Sequence, residues 1–114
     1  MNCIFCRIAA GDIPATVVAR SAGAMAFRDL SPQAPAHVLV IPIRHITSSA
    51  HLAPGDRSQV LGEVVALATE VAADLGLAES GYRLVVNTGK DGGQSVDHLH
   101  VHVLGGRQMT WPPG

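Results

Sequence analysis

Three histidines alternate with apolar residues in the run Asp97-His98-Leu99-His100-Val101-His102-Val103-Leu104. Side chains of a β-strand point alternately to the two faces of its sheet, so the run predicts a strand over Val96–Leu104. The three imidazoles then lie on one face, spaced about 6.5 to 7 Å apart at the backbone, and the apolar side chains between them face the core. Imidazoles at this spacing can share one bound group.

A plain polar sheet face explains this run poorly. Histidine is not a favoured residue on solvated strands, and three charged rings on one face would repel one another. One functional interpretation is zinc held by His98, His100 and His102, which would make the protein a metal-dependent hydrolase. The other is an imidazole that attacks phosphorus as a nucleophile.

The segment before the histidine run helps to choose between these interpretations. Gly89-Lys90-Asp91-Gly92-Gly93-Gln94-Ser95 is rich in glycine and polar residues, which is typical of a loop. Backbone N–H groups in such a turn can form a concave site for an anion. A loop that can bind phosphate and leads directly into a histidine strand favours phosphorus chemistry.

Hydropathy periodicity predicts four further strands and two helices. Val60, Val64, Leu67, Val71 and Leu75 recur at spacings of three and four, which places them on one face of a long helix. The predicted strands are Thr16–Arg20, Ala24–Asp29, His37–Ile41 and Tyr82–Asn87, and the predicted helices are Ile4–Ala10 and Asp56–Leu75. One long helix against a mostly antiparallel sheet is an α+β architecture, which we expect to form one domain over residues 1–114.

The composition excludes several classes of protein. The chain has 114 residues, of which 47% are hydrophobic and 15% charged, too apolar for a disordered chain. A formal net charge of −1 argues against a nucleic-acid partner. No apolar run approaches the ~20 residues that span a bilayer, so no membrane partner is expected. Because the start, Met1–Cys6, lacks the pattern of a secretory signal, we expect a soluble cytoplasmic protein.

Cys3 and Cys6 have the spacing of half a tetrahedral zinc site. The alternatives are two reduced thiols packed under a short helix, or a redox pair. A redox pair has less support, because no thioredoxin-like βαβ pattern surrounds it. A zinc site would need two further ligands.

The run His98–Leu104 also matches the signature of the histidine triad (HIT) superfamily, and the chain resembles its Hint branch. Several other stretches carry the resemblance, which extends from Cys3 to Gly114: Asp29–Pro35, Asp91–Val96, Leu104–Met109 and Trp111–Gly114. It implies a HIT-like fold with an antiparallel sheet of about five strands, one long helix and a short N-terminal helix. It also implies a homodimer across which the sheet is extended.

Hint-type proteins are purine nucleoside phosphoramidases, so the resemblance implies cleavage of the P–N bond in an AMP-amine type of substrate. By motif position His100 is the nucleophile that forms a nucleotidyl-histidine intermediate. His102 would bond to the phosphate and assist the departing group. His37 would orient the nucleophilic ring through a hydrogen bond, and Ser95 would hold phosphate oxygens.

The resemblance also implies a set of nucleotide contacts. The backbone at Gly93 and Gln94 would bind phosphate oxygens beside Ser95. Asp29 would hold the ribose hydroxyls, although without the family it could equally cap a loop. Leu30 would contact the base, with Phe27 and Ile8 as further neighbours, and Asn87 would contact the nucleotide.

For the cysteine pair, bacterial triad proteins similar to this one imply a structural zinc ion held by Cys3, Cys6, His45 and His98. His98 would then be structural, and catalysis itself would require no metal. His51, in the loop before the long helix, is assigned no role.

The expected partners are a purine nucleotide and a second copy of the chain. Trp111 lies in a tail without a regular pattern and would contact the other subunit, as the tails of Hint relatives do. Two alternatives to a phosphoramidase remain open. One is a dinucleoside polyphosphate hydrolase or nucleotidyl transferase of the same superfamily, and the other is a nucleotide-binding module with low turnover.

Overall fold

The computed structural model describes residues 3–114. Met1 and Asn2 lie outside the described residues; they belong to the predicted domain and to the start of the chain for which we expect no secretory signal. The described part contains two α-helices and five β-strands. The helices are α1 (Ile4–Ala9) and α2 (Arg57–Asp74), and the strands are β1 (Val17–Arg20), β2 (Ala24–Arg28), β3 (Ala36–Pro42), β4 (Tyr82–Val85) and β5 (Val101–Gly105). Every predicted element is present, with shifts of one or more residues at most ends.

The five strands form one sheet in the order β1-β2-β3-β5-β4, and every neighbouring pair is antiparallel. The last strand of the chain therefore lies between β3 and β4. Its register places Val101 opposite Val40 and His102 opposite Leu39. This pairing brings the end of the histidine run beside β3, whose second residue is His37.

One face of the sheet packs against α2 to form the larger core. The buried face of the helix includes the predicted Val64, Leu67 and Val71, together with Ala68 and Ala72. The alanines allow the helix axis to approach the sheet closely, since they place little volume between the two layers. Val60 and Leu75, at the ends of the predicted stripe, are only half-buried.

The other face of the sheet packs against α1. Phe5 and Ile8 of this helix lie with buried residues of β2 and β3, among them Phe27 and Leu39. Cys3 is the N-cap of α1, where its Sγ accepts a hydrogen bond from the N–H of Cys6 at 3.3 Å. The short helix is therefore held by packing and by its first cysteine.

Strand β5 begins at Val101, five residues later than predicted, and the reason lies in the opposite strand. Pro42 ends β3 and has no N–H with which to continue the ladder. The backbone instead bonds elsewhere, because the N–H of Leu99 donates to the carbonyl of Ile46 at 2.7 Å. His98 and His100 consequently lie before the strand, and only His102 belongs to it.

No helix within residues 3–114 is long and apolar enough to cross a membrane. Strands β1 and β4 form the two edges of the sheet. The tail passes near β4, where Arg83 donates a hydrogen bond to the carbonyl of Thr110 at 2.9 Å, and Trp111 is 82% exposed. Extension of the sheet across a homodimer stays a prediction.

Candidate active site and metal-binding cluster

Four side chains with metal-binding donor atoms meet at the N-terminal end of α1. This Cys/His cluster comprises Cys3, Cys6, His45 and His98, whose donor atoms all lie within 4.8 Å of one another. His98 Nδ1 is 3.3 Å from Cys3 Sγ and 3.5 Å from Cys6 Sγ, and His45 Nδ1 is 3.3 Å from Cys6 Sγ. The structure thus brings together all four residues of the predicted zinc site.

The hydrogen bonds of His98 show that this cluster suits a metal ion. His98 Nε2–H donates to the backbone carbonyl of Pro42 at 2.8 Å, so the neutral ring carries its lone pair on Nδ1, the atom facing both sulfurs. Such a bond from the outer nitrogen fixes the tautomer and orientation of a ligating histidine. Two thiols and two imidazoles form the donor set of a closed tetrahedral zinc site.

Burial shifts the pKa values of two members of the cluster, Cys6 and His98, toward their uncharged forms. Burial raises the pKa of the Cys6 thiol, and the hydrogen bond and charge of Cys3 raise it further. Burial also lowers the pKa of His98, so that its ring is neutral and can act as a ligand. A bound divalent cation would favour the thiolates that the apolar surroundings disfavour.

A second feature, a cleft of about 230 Å³, lies between α1, the end of β2 and the residues that lead into β5. Most of its wall is apolar, and a few polar groups converge on it, as is typical of small-molecule sites. The predicted residues that line it are Asp29, Leu30, Ser95, His100 and His102, together with Ile8 and Phe27. Leu30 is 93% exposed, so its side chain lies at the solvent-facing rim of the cleft and can contact a ligand only there.

His100 is the buried histidine on the wall of this cleft, with 2% of its surface exposed. Its Nδ1–H donates to the backbone carbonyl of His98 at 2.7 Å, so the neutral ring has its free lone pair on Nε2. The ring of Phe5 forms a T-shaped contact with it, with centroids 5.2 Å apart and planes at 84°. The imidazole is thus oriented by a carbonyl and by an aromatic wall.

His37 and His102, which we call the histidine pair, are joined by a hydrogen bond of 2.9 Å between His37 Nε2 and His102 Nδ1. The backbone N–H of Gln33 donates to His37 Nδ1 at 3.0 Å, which leaves the proton of the neutral ring on Nε2. His37 therefore donates to His102, whose own proton is on Nε2. The expected hydrogen bond from His37 to the nucleophilic ring is wrong, because its partner is His102 and not His100.

The carboxylate of Asp29 contacts both the histidine pair and its own loop. Asp29 Oδ2 is 3.4 Å from His37 Nε2, and Oδ1 accepts the N–H of Ser31 at 2.7 Å. The loop-capping role considered from the sequence is therefore present, on a side chain that also lines the cleft. Asp29, His37 and His102 place donor atoms within 4.8 Å of one another, but the proton on His37 Nε2 occupies the position that a metal ion would need.

Both rings of the histidine pair are held neutral. Burial, together with the charges of His100 and His37, lowers the pKa of His102 to about 4, and the charge of Asp29 partly offsets the shift. Burial likewise lowers the pKa of His37, which the charge of Asp29 partly offsets. His102 is therefore a neutral N–H donor at physiological pH.

The predicted phosphate-binding loop uses its central groups internally. The N–H of Gly93 donates to the carbonyl of Lys90, and the N–H of Gln94 donates to that of Gly89. Asn87 Nδ2 donates to the carbonyl of Gly92 at 2.7 Å, which braces the loop from the end of β4. Of the predicted phosphate contacts in this loop, Ser95 alone lines the cleft.

The structure does not bring the three histidines of the run to one metal ion. Among the described residues, the groups of metal-type donors are the Cys/His cluster and the trio of Asp29, His37 and His102. The Phe5 ring contacts both His98 and His100, so the two imidazoles flank an aromatic side chain. The three-histidine zinc hypothesis is therefore wrong.

Sequence reasoning missed three residues that orient the histidines: Phe5, Gln33 and Pro42. Phe5 carries a sequence signal, because it lies between the two cysteines in a chain with only 2 phenylalanines. Gln33 and Pro42 act through a backbone N–H and a backbone carbonyl, and no side-chain pattern indicates such contacts.

Comparison with known proteins places these features in a family. The HIT domain model matches residues 10–109 of this chain. The chain is 47% identical over 112 residues to a 14 kDa zinc-binding protein of Zea mays, covering 97% of this chain and 87% of that protein. It is 52% identical to a HIT family hydrolase from Legionella pneumophila Philadelphia 1, whose crystal structure matches with a TM-score of 0.95 over 99% of this chain and 100% of that one.

Two further crystal structures have lower identity. A histidine triad nucleotide-binding protein from Candida albicans matches with 31% identity and a TM-score of 0.81, over 90% of this chain and 73% of that one. A Zn-bound histidine triad family protein from Mycobacterium smegmatis matches with 30% identity and a TM-score of 0.83, over 94% and 76%. The family match, the similar proteins and the shared sheet agree: the chain belongs to the HIT domain family and has its fold.

Proposed function

We propose that the protein is a nucleotide-binding hydrolase that cleaves the P–N bond of purine nucleoside 5′-phosphoramidates through a nucleotidyl-His100 intermediate. Similar proteins are named a HIT family hydrolase and a histidine triad nucleotide-binding protein, which supports the general class. The finer assignment depends on the tautomer of His100. Because Nδ1–H is held by the His98 carbonyl at 2.7 Å, Nε2 has the lone pair that can attack phosphorus.

The first step transfers the nucleotidyl group to the protein. The lone pair of His100 Nε2 forms a bond to the α-phosphorus, and the P–N bond of the substrate breaks. The leaving nitrogen takes up one proton from water and departs as a neutral amine. The product is a phosphorylated imidazolium that keeps its Nδ1–H bond to the His98 carbonyl.

In the second step water attacks the phosphorus and the bond between phosphorus and His100 Nε2 breaks. This releases a nucleoside monophosphate and one proton and restores the neutral ring. Dividing one displacement into two easier ones is the advantage of covalent catalysis.

His102 would stabilise the charge on the phosphate in both steps. The hydrogen bond between His37 and His102 leaves the Nε2–H of His102 as a donor on the wall of the cleft. A preoriented neutral donor of this kind stabilises charge that develops in a transition state without having to reorganise. Ser95, exposed on the same wall, can supply a hydroxyl donor to another phosphate oxygen.

The remainder of the cleft suits a nucleoside. Ile8, Phe27 and Leu30 form an apolar wall for the base, and Asp29 is a carboxylate that can accept hydrogen bonds from ribose hydroxyls. Because the wall contacts are apolar, they favour the large face of a purine more than a particular pattern of donors and acceptors.

For the Cys/His cluster we propose a structural zinc ion bound by Cys3, Cys6, His45 and His98. The lone pair of His98 directed at two sulfurs supports this assignment, as do a zinc-binding relative and a Zn-bound neighbour. Zinc would stabilise the fold by joining α1 to the segments that hold His45 and His98. Catalysis would use the protein's own imidazoles.

We also propose that the protein forms a homodimer in the cytoplasm. Strand β4 lies at an edge of the sheet, and the nearby tail carries the exposed Trp111. Exposed edges and large apolar side chains are features that subunit contacts cover. Intact native mass spectrometry would give a dimer mass, and a mass of one chain at micromolar concentration would contradict the proposal.

The proposed reaction can be tested by trapping the intermediate. We expect that brief incubation with adenosine 5′-phosphoramidate, acid-free quenching and peptide mass spectrometry will locate one adenylyl group on His100. His51→Asn serves as a matched control, because His51 is exposed and its ring bonds to Ser48 away from the cleft. An adduct on another residue, or turnover without any adduct, would contradict the mechanism.

A further inference from the structure

His98 connects the Cys/His cluster with the nucleophile in two ways. Its ring belongs to the cluster, and its backbone carbonyl accepts the Nδ1–H of His100 at 2.7 Å. The ring is completely buried and also donates to Pro42, so the carbonyl of the same residue has little freedom to move. The orientation of His100 thus depends partly on a residue whose side chain lies in the other site.

Phe5 forms a second connection. Its ring forms a T-shaped contact with the ring of His98, with centroids 5.9 Å apart and planes at 70°, and another with the ring of His100, at 5.2 Å and 84°. Edge-to-face contacts of aromatic rings prefer a defined mutual orientation and contribute about 0.5 to 1.5 kcal/mol beyond the area they bury. Phe5 has 6% of its surface exposed and lines the cleft, so packing confines its ring on the sides away from the cleft.

The position of Phe5 is itself set by the two cysteines. It lies between them in the first turn of α1, where Cys3 caps the helix and accepts the N–H of Cys6. Anchoring both sulfurs to one ion would fix this turn, and with it the plane of the Phe5 ring. Releasing them would leave α1, which has only 6 residues, held by packing and by the weaker hydrogen bonds of the cysteine sulfurs.

From these contacts we infer that Phe5 is a positioning residue through which the Cys/His cluster controls the alignment of His100. The inference rests on the proposed function, and it assigns the cluster a role in the rate of nucleotidyl transfer as well as in stability. Phe5 does not react. It holds the plane of the imidazole so that Nε2 points along the line of attack on phosphorus, where small misalignments cost much of the rate.

The test compares Phe5→Leu with Phe5→Tyr and with Val71→Ala in the zinc-loaded protein. Leucine keeps an apolar side chain on the wall of the cleft but removes the aromatic ring, and tyrosine keeps the ring. Val71 lies in the core on the opposite face of the sheet. We expect Phe5→Leu to slow formation of the His100 adduct in a single turnover about tenfold, with the Kd for AMP changed less than about threefold. Phe5→Tyr and Val71→Ala should stay within about threefold of the parent rate.

A second readout does not depend on activity. We expect removal of zinc by a chelator to shift the ring Cε1–H and Nε2 NMR signals of His100 in the parent protein, and readdition of zinc to restore them. In Phe5→Leu the same treatment should shift these signals less than half as far. Circular dichroism under both conditions identifies any variant that has unfolded, and Phe5→Met then replaces Phe5→Leu.

The outcomes separate this inference from the proposed function. If the parent protein forms no adduct on His100, the proposed function fails, and the NMR comparison still decides whether Phe5 couples the two sites. If the adduct forms at the parent rate in Phe5→Leu, or if zinc removal shifts the His100 signals equally with and without the ring, Phe5 does not transmit the state of the cluster and the inference is overturned.

Discussion

The Cys/His cluster and the histidine pair contain similar donor atoms, yet they are suited to different tasks. In the cluster, the lone pair of His98 Nδ1 faces the two sulfurs, whose thiol protons a bound cation would displace. In the histidine pair, a proton lies between His37 Nε2 and His102 Nδ1 at a separation of 2.9 Å. The first arrangement suits a cation, and the second suits a fixed hydrogen-bond donor.

The difference arises from one backbone group behind each ring. The carbonyl of Pro42 accepts the outer N–H of His98 and directs a lone pair inward. The N–H of Gln33 donates to the outer nitrogen of His37 and directs a proton inward. A histidine cluster is therefore interpreted correctly only when the bonds on the far side of each ring are known.

The largest expected effect is on the nucleophile that lies between the two sites. We expect His100→Ala to reduce P–N cleavage at least about 10³-fold and to abolish the protein adduct, since no other ring offers a lone pair to the cleft. Zinc content and the Kd for AMP should change little. If His100→Ala retains turnover near the parent rate, the lone pair of His100 Nε2 is not used in the reaction. If the parent protein itself binds AMP but cleaves the P–N bond only slowly, a nucleotide-binding module is favoured instead.

The next largest effect tests whether the Cys/His cluster binds a metal ion. We expect Cys6→Ser to lose stoichiometric zinc and to become less stable by about 3 to 4 kcal/mol, the contribution of a ligand present at 100 to 1,000 times its Kd. Metal analysis and urea unfolding, each with and without chelator, measure both quantities. The chelator should lower the stability of the parent protein and leave Cys6→Ser unaffected; an equal response of the two proteins would show that the sulfur is not a ligand.

A smaller effect tests the proton in the histidine pair. We expect His37→Leu to lower kcat about tenfold, because His102 Nδ1 loses its donor and the tautomer of that ring is no longer fixed. His37→Gln, whose amide can donate a hydrogen bond, should recover part of the loss. Adding Zn²⁺ beyond one equivalent should not inhibit the parent protein. If excess Zn²⁺ inhibits the parent protein but not His37→Leu, the histidine pair binds a metal ion and this assignment is wrong.

The last effect is negligible at neutral pH and concerns stability in acid. The pKa of His102 is about 4 in the folded protein and roughly 6.5 in the unfolded chain, so the unfolded state binds its proton first as the pH falls. Stability should therefore decrease from about pH 6.5 to pH 4 and then level off for this group. His102→Asn should show a flatter profile in urea unfolding with chelator present, and an unchanged slope would indicate that the ring is not held neutral by burial.

The sequence predicts the fold well because the period of two in the strands and the spacing of three and four in α2 depend only on which side chains are apolar. Val64, Leu67 and Val71 are buried as expected, and all five strands are present. The start of β5 could not be predicted in this way. It is set by Pro42, which is far away in the sequence and lies opposite the run only after β3 and β5 have paired.

The sequence predicts the site residues that belong to a motif, but it does not predict the contacts made by backbone N–H and carbonyl groups. The donor set of the Cys/His cluster and the position of His100 on the cleft follow the motif. The partner of His37, and the internal use of the Gly93 and Gln94 N–H groups, depend on how loops close in three dimensions. Local sequence carries no side-chain signal for such contacts.

The double use of His98 affects how mutagenesis of this region should be interpreted. Its ring faces the sulfurs, whereas the atom that orients the neighbouring nucleophile is the carbonyl oxygen, which every amino acid possesses. An alanine scan of the run would therefore attribute to position 98 only the loss of the imidazole and would overlook what the main chain contributes to chemistry. Replacing the amide that follows His98 with an ester would reveal it by weakening that carbonyl as an acceptor, together with the loss of the Leu99 N–H that donates to Ile46.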